Sequence, residues 1–128
     1  MRHIGFTAHD TPANLLQHLE RADWCEILLV TYNLFNRTYA PMLARAHELG
    51  IGTIVMNPVA GGKLAEESPV FDAIKARTGA VTLEDLAVRY VLSNSTIDTL
   101  ISGISKPSDV DAVLASAARP TFDRDTCA

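Results

Sequence analysis

The stretch Ile51-Gly52-Thr53-Ile54-Val55-Met56-Asn57-Pro58-Val59-Ala60-Gly61-Gly62-Lys63-Leu64 decides how the chain is read. Its first seven residues are a largely apolar, β-branched run of strand length. Pro58, with no N–H to give to a ladder, stops that run. Val59 to Leu64 then reads as a loop. Upstream, Met42, Leu43, Ala46 and Leu49 share one side of a helix from Tyr39 to Leu49. Gly50 stands where a left-handed residue closes such a helix.

Working outward, the same alternation repeats. Glu26-Ile27-Leu28-Leu29-Val30-Thr31 is a continuous apolar run, as expected of a parallel strand buried on both faces. His3-Ile4-Gly5-Phe6-Thr7 is a short strand. Thr11-Pro12 opens a helix with Leu15, Leu16 and Leu19 on its apolar stripe, Thr as N-cap and Pro at the first helical position. Ser68-Pro69 opens a helix to Thr78, ended by Gly79. Thr82-Leu83-Glu84-Asp85 starts another, with Asp85 loosely imitating a capping box. Leu86, Val88, Tyr90, Val91 and Leu92 leave that helix mostly buried. Ile97 to Ser102 is the fourth strand, and Ser105-Lys106-Pro107-Ser108 caps a last helix through Ala118. The order β-α-β-α-β-α-α-β-α with short connections predicts four parallel strands with flanking helices and right-handed crossovers. That pattern fits a small open sheet or part of a (β/α)8 barrel. A full barrel takes roughly 250 residues, and 128 residues are about half of one. Residues 1–118 form the domain; 119–128 read as a loosely ordered tail.

Composition bounds the function. Hydrophobic residues at 48% and charged residues at 20% are enough for a buried core and argue against disorder. A net charge of −4 argues against a general nucleic-acid binder. No apolar run is long enough to span a bilayer, and the N-terminus has no secretory h-region. Cys25 and Cys127 have no metal or haem spacing. The expectation is a cytoplasmic α/β protein without nucleic-acid or membrane partners.

Four segments together resemble the C-terminal half of the aldo-keto reductase barrel. Ile4-Gly5-Phe6-Thr7-Ala8-His9 is similar to the family's fifth-strand motif, and Tyr32-Asn33-Leu34-Phe35-Asn36-Arg37 to the motif after strand six. Gly50-Ile51-Gly52, with Met56-Asn57-Pro58 through Leu64, resembles strand seven. Its Met-Asn-Pro form is most similar to the bacterial predicted-oxidoreductase branch. Leu86-Ala87-Val88-Arg89-Tyr90-Val91-Leu92-Ser93 and Ile101-Ser102-Gly103-Ile104-Ser105-Lys106-Pro107 resemble the surroundings of strand eight. The fold this implies is half of a TIM (β/α)8 barrel.

The resemblance implies NAD(P)H-dependent carbonyl reduction, with NADP or NAD lying across the C-terminal strand ends and no metal. The implied cofactor-binding residues are Thr7, Met56, Asn57, Gly61, Gly62, Gly103, Ser105 and Lys106. Thr7 matches a Ser whose hydroxyl meets the nicotinamide carboxamide, and Met56 stands where a Tyr stacks on the ring. Gly103-Ile104-Ser105-Lys106 resembles the loop for the adenosine 2′-phosphate. The pattern also departs from the family: Ala8 replaces an Asn, Leu29 a Gln, Asp109 an Arg, and Ala112-Val113 a Glu-Asn pair. The resemblance further implies that the Tyr, Lys, Asp and His of the proton-donating machinery sit on strands one to four, so no catalytic residue is assigned and the chain by itself is expected to be inactive. Open strand edges predict a homo-oligomer or pairing with a separate N-terminal half. Two further readings stay open: a structural, oligomerising half barrel without chemistry, and a phosphate- or nucleotide-binding module.

Individual residues have plainer readings as well. His9 and Asp10 follow the first strand at the end where barrels keep their sites, but also flank the Thr11 cap. Tyr32 reads as packing, Asn33 and Arg37 as ordering a loop, and Cys25 as a buried small hydrophobe. Gly61-Gly62-Lys63 and the helix start at Ser105-Lys106 each read as an anion contact or as plain loop and cap. Glu66-Glu67 and Glu84-Asp85 read as solvated helix starts.

Overall fold

The computed structural model describes residues 1–7, 9–61 and 69–123. Its elements are β1 (Gly5–Thr7), α1 (Pro12–Arg21), β2 (Ile27–Thr31), α2 (Ala40–Glu48), β3 (Gly52–Met56), α3 (Pro69–Thr78), α4 (Leu83–Leu92), β4 (Thr99–Ile101) and α5 (Pro107–Ala117). The strands make one four-stranded sheet, all parallel, in the order β1-β2-β3-β4. Parallel neighbours need crossovers, and each is helical. The helix ends form where the sequence places them. Thr11 and Thr82 accept the N–H groups of Asn14 and Asp85, and Gly50 closes α2 at φ 72°.

The edge strands are shorter than their apolar runs. Glu26 takes over Ile4: its carboxylate accepts the Ile4 N–H at 3.0 Å, and its own N–H donates to the Ile4 carbonyl at 2.9 Å. At the other edge Thr53 takes over Asp98. The Asp98 carboxylate accepts the Thr53 N–H at 2.7 Å, and the Thr53 hydroxyl lies 2.7 Å from the Thr96 carbonyl and 3.0 Å from the Asp98 N–H. Thr53 is fully buried, so Thr53→Val would leave the Thr96 carbonyl short of a partner, while the Asp98 N–H keeps the Thr53 carbonyl at 3.1 Å. The expected cost is about 1–3 kcal/mol, read as a lower urea midpoint at unchanged slope.

The two faces of the sheet differ. Phe6, Leu28, Val30, Val55 and Leu100 face the helices and belong to the core cluster, with Leu15 and Leu19 of α1, Met42, Leu43 and Ala46 of α2, and Leu86, Tyr90 and Val91 of α4. Tyr32, just past β2, is buried and stacks on Tyr90 at 6.0 Å. The opposite face carries Gly5, Thr7, Ile27, Leu29, Thr31, Gly52, Ile54, Met56, Thr99 and Ile101, none of them fully buried. A Cβ at Gly5 would overlap the Ile27 carbonyl, so glycine lets β1 approach β2 closely.

On the outer surface Arg45 bridges Glu20 of α1 and Glu48 of its own helix. That guanidinium holds the Glu20 carboxyl below its ordinary range. A depressed carboxylate keeps its contact above the unfolded-state value and loses it as pH falls through the folded one. A carbon-detected acid titration is therefore expected to place Glu20 below an ordinary Glu, and Arg45→Ala to return it there.

Two sequence expectations are corrected. Asp85 is no solvated helix start: it is 3% exposed. Its Oδ2 accepts from the Val81 N–H at 2.9 Å and pairs with Arg119 at 2.7 Å and Arg89 at 3.5 Å. Of the segment expected as a loose tail, Arg119 to Phe122 is tied to α4 and its C-cap Ser93, and residues 124–128 lie outside the described residues. Phe122 is buried under the Arg89 guanidinium at 4.1 Å, and its N–H donates to the Ser93 hydroxyl. A buried Asp and Arg each need partners, and this segment brings them. Glu66, Glu67 and Cys127 lie outside the described residues.

Candidate functional site

Strand register builds one end of the open face into layers. Thr7, Leu29, Ile54 and Thr99 stand in one row across the four strands, and Thr31, Met56 and Ile101 in the next row toward the C-terminal ends. Both rows fall on the face turned away from the helices, because side chains alternate along each strand. The two rows therefore carry three threonine hydroxyls (Thr7, Thr31 and Thr99), a thioether and aliphatic side chains, with no charged group in either row.

Loops after β2 and β3 are tied together at this rim. The Asn33 amide donates to the Asn57 carbonyl at 2.9 Å, while its Oδ1 accepts the N–H groups of Phe35 and Asn36. Asn57 sits at φ 60°, Ala60 at φ 53°, and the Asn57 Oδ1 accepts the Gly61 N–H at 2.6 Å. Left-handed non-glycine residues cost energy and persist where surroundings over-determine them. Here the surroundings are the Asn33 amide on one side and the Asn57 side chain folding back on Gly61 on the other.

The loop after β4 leads into α5, where one carboxylate dominates. Asp109 Oδ2 accepts the Ser105 N–H at 3.0 Å and the Lys106 N–H at 3.1 Å. Lysine has no acceptor to return the contact, so only the acidic limb of a capping box forms. Ser105, Lys106 and Gly103 are exposed. Among the described residues no His, Cys, Asp and Glu gather as a metal site, and no helix is long and apolar enough to cross a membrane.

A family model for the aldo/keto reductases matches residues 1–128. The chain belongs to the aldo/keto reductase family. Solved structures agree on the fold. The aldo-keto reductase AKR11C1 from Bacillus halodurans matches at 19% identity and TM-score 0.77 in its holo form, and at 18% and 0.80 in its apo form. The match covers 98% of this chain and 48% of that one. The thermostable aldo-keto reductase Tm1743, solved with the inhibitor epalrestat, matches at 14% identity and TM-score 0.75, covering 98% of this chain and 46% of that one. The chain thus spans about half the length of these structures, and its four parallel strands with flanking helices are part of the aldo-keto reductase TIM barrel. No curated protein matches.

In this aldo/keto reductase chain the residues singled out from sequence separate into two groups. Thr7 and Met56 lie at strand ends on the open face, and Asn57 and Gly61 form the adjoining turn. Gly103, Ser105 and Lys106 sit on the β4–α5 loop. Gly62 lies outside the described residues. His9 is exposed, and Asp10 caps: its carboxylate accepts from Thr11 and Asn14 and is held below the ordinary Asp range by those bonds, Thr11 first. The Tyr39 hydroxyl donates to the Asp10 carbonyl. Burial pushes the Cys25 thiol up, as befits a packed side chain. Asn33 is the residue that sequence reasoning undervalued. Its loop-ordering reading was legible, but not its grip on Asn57, because the β2–β3 register sets that contact.

The fit to a nicotinamide dinucleotide divides the same way. The rim offers hydroxyls and a polarizable face suited to a nicotinamide. The α5 start does not suit an added phosphate: the N–H groups that would take it already serve Asp109, and a carboxylate there repels a second anion.

Proposed function

We propose that this chain supplies the cofactor-facing half of an NAD(P)H-dependent carbonyl reductase, with preference for the cofactor lacking the 2′-phosphate. The observation that carries the reading is the Thr7–Leu29–Ile54–Thr99 row with the Thr31–Met56–Ile101 row above it, in a chain matched along its whole length by the aldo/keto reductase model. A bound nicotinamide would supply a hydride to a carbonyl carbon. On this reading the Thr7 hydroxyl would orient its carboxamide and Met56 would cover one ring face. The Asn33–Asn57–Gly61 linkage fixes the turn beside them. Once covered, the uncharged rows would exclude water, and among their described residues none is a charged or acidic group that would protonate the carbonyl oxygen. By family resemblance the proton donor, a Tyr tuned by a Lys–Asp pair and helped by a His, belongs to strands outside this chain.

Two measurements on the purified 128-residue protein test this. Titration followed by nicotinamide fluorescence is expected to show NADH binding at or below millimolar concentration and weakened by Met56→Ala. Steady-state assays with a panel of aldehydes are expected to show no turnover until a polypeptide carrying the other four β/α units of the barrel is added. Absence of binding for either dinucleotide at millimolar concentration would favour a structural module. Turnover by the chain unaided would show that the proton donor lies within it.

A further inference from the structure

On the helix-covered side of the sheet, where Tyr32 and Tyr90 belong to the core cluster, a cavity of about 260 Å³ has no part in the roles described above. Tyr32 and Arg37 line it from the segment after β2, Tyr90 from α4, and Ser93, Asn94 and Thr96 from the turn that leads to β4. We propose that this cavity binds a small organic carboxylate, with its charged end on Arg37, the Tyr32 hydroxyl and the Asn94 amide. No residue of either edge strand lines the cavity, and none assigned to the nicotinamide does. Its occupancy is therefore independent of the cofactor and of whatever completes the barrel.

The free polar groups here are donors. Tyr32 is 6% exposed and stacks on Tyr90. Its hydroxyl has no hydrogen-bond partner among the described residues and is not sealed in the core, so it opens on the cavity. A buried phenol ordinarily finds a partner, and a ligand oxygen would be one. Arg37 is exposed and makes no ion pair among the described residues, and no Asp or Glu lines the cavity. The Asn94 Oδ1 already accepts the Thr96 N–H at 3.0 Å and the Thr96 hydroxyl at 2.8 Å, so its NH2 is what it has left to offer. The Ser93 hydroxyl is engaged elsewhere, donating to the Arg89 carbonyl at 2.6 Å and accepting the Phe122 N–H at 2.7 Å.

The same surroundings select the anion. A guanidinium meets a carboxylate through two parallel N–H bonds. Helix α4 ends at this cavity with Ser93 as its C-cap, and the negative end of a helix disfavours a doubly charged group. One arginine therefore suits a single charge. The volume lies below the ~300 Å³ at which pockets for drug-sized ligands begin, so the occupant is small. The stacked tyrosines give its body an apolar wall.

Benzoate is a suitable probe, with its neutral isostere benzamide and inorganic phosphate as comparisons. An NMR titration of the purified protein is expected to move the Asn94 side-chain amide and Arg37 Nε–H signals, with a Kd of about 1 mM or below. Benzamide and phosphate are expected to bind at least about tenfold more weakly. Arg37→Gln, and Tyr32→Phe with its ring retained, are each expected to weaken benzoate by roughly tenfold, the worth of a hydrogen bond to a charged group. Far-ultraviolet CD spectra of both variants are expected to match the parent. No movement of the two signals at about 10 mM benzoate, well above the expected Kd, overturns the proposal. So does benzamide binding as tightly as benzoate, phosphate binding more tightly, benzoate shifts confined to the open face, or an affinity that Arg37→Gln leaves unchanged.

Discussion

Asp85→Ala is expected to lower stability by about 3–5 kcal/mol, the cost of breaking a buried ion pair from one side. For a domain of this size that is a fall in melting temperature of roughly 10–20 °C. The size follows from what the substitution strands. Asp85 Oδ2 is the shared acceptor for Val81, Arg89 and Arg119. Arg89 is buried, with its Nε on the Pro120 carbonyl and its plane over Phe122, so it cannot move into water to recover hydration. Among the described residues the Arg119 guanidinium keeps only the Gly79 carbonyl. Loss of the carboxylate thus leaves one buried cation unpaired and releases the 119–123 segment from α4. Hydrogen exchange is expected to show early opening there, ahead of β2 and β3. Joint replacement of Asp85 by Leu and Arg89 by Met should be far milder, because no buried charge is left alone. Urea melts of the two variants check the pair; equal losses would mean that packing, not the uncompensated charge, sets the cost.

The same network shows what the sequence could and could not disclose. Strands and helices are legible because each is encoded locally. The Glu26–Thr31 run lacks alternation, Thr11-Pro12 and Thr82 are caps, and Gly50 and Gly79 take the left-handed conformation that ends a helix. The contacts that set burial are not local. Asp85 meets Arg119, Ser93 meets Phe122 and Thr53 meets Asp98 across 34, 29 and 45 residues. Nothing in the periodicity of Thr82-Leu83-Glu84-Asp85 separates an acid that faces solvent from one that receives two arginines. The strand ends were overextended for a related reason, since the side chains of Glu26 and Thr53 compete for the backbone at the edges.

Within the site the divide is the same. Thr7, Met56 and Asn57 could be singled out by family resemblance, because the strand they end is visible in the sequence. Their grouping into rows with Leu29, Ile54 and Thr99 needs the register, which side-chain patterning alone does not fix between parallel neighbours. Asp109 was visible as a reversal of sign. Its possession of the Ser105 and Lys106 N–H groups was not, because a carboxylate at the third helical position can equally face solvent.

That carboxylate sets the second large effect. Asp109→Ala is expected to tighten NADPH binding by roughly 10- to 100-fold while leaving NADH within about twofold. Asp109 now holds the two N–H groups at the positive end of α5. Its removal frees both donors and takes away a like charge, leaving Lys106 as the local cation. Hydrogen bonds to a charged acceptor contribute about 1.5–3 kcal/mol, which corresponds to that range of affinity. NADH carries no 2′-phosphate, so it gains little from either change. The substitution also removes a helix cap, at about 1 kcal/mol, so a CD melt must accompany the titrations. Adding Lys106→Ala to Asp109→Ala is expected to reverse most of the gain, and raising salt from 50 to 300 mM should weaken NADPH more than NADH. A ratio of NADPH to NADH affinity that stays fixed across these variants would place the 2′-phosphate away from the α5 start and remove Asp109 from cofactor choice.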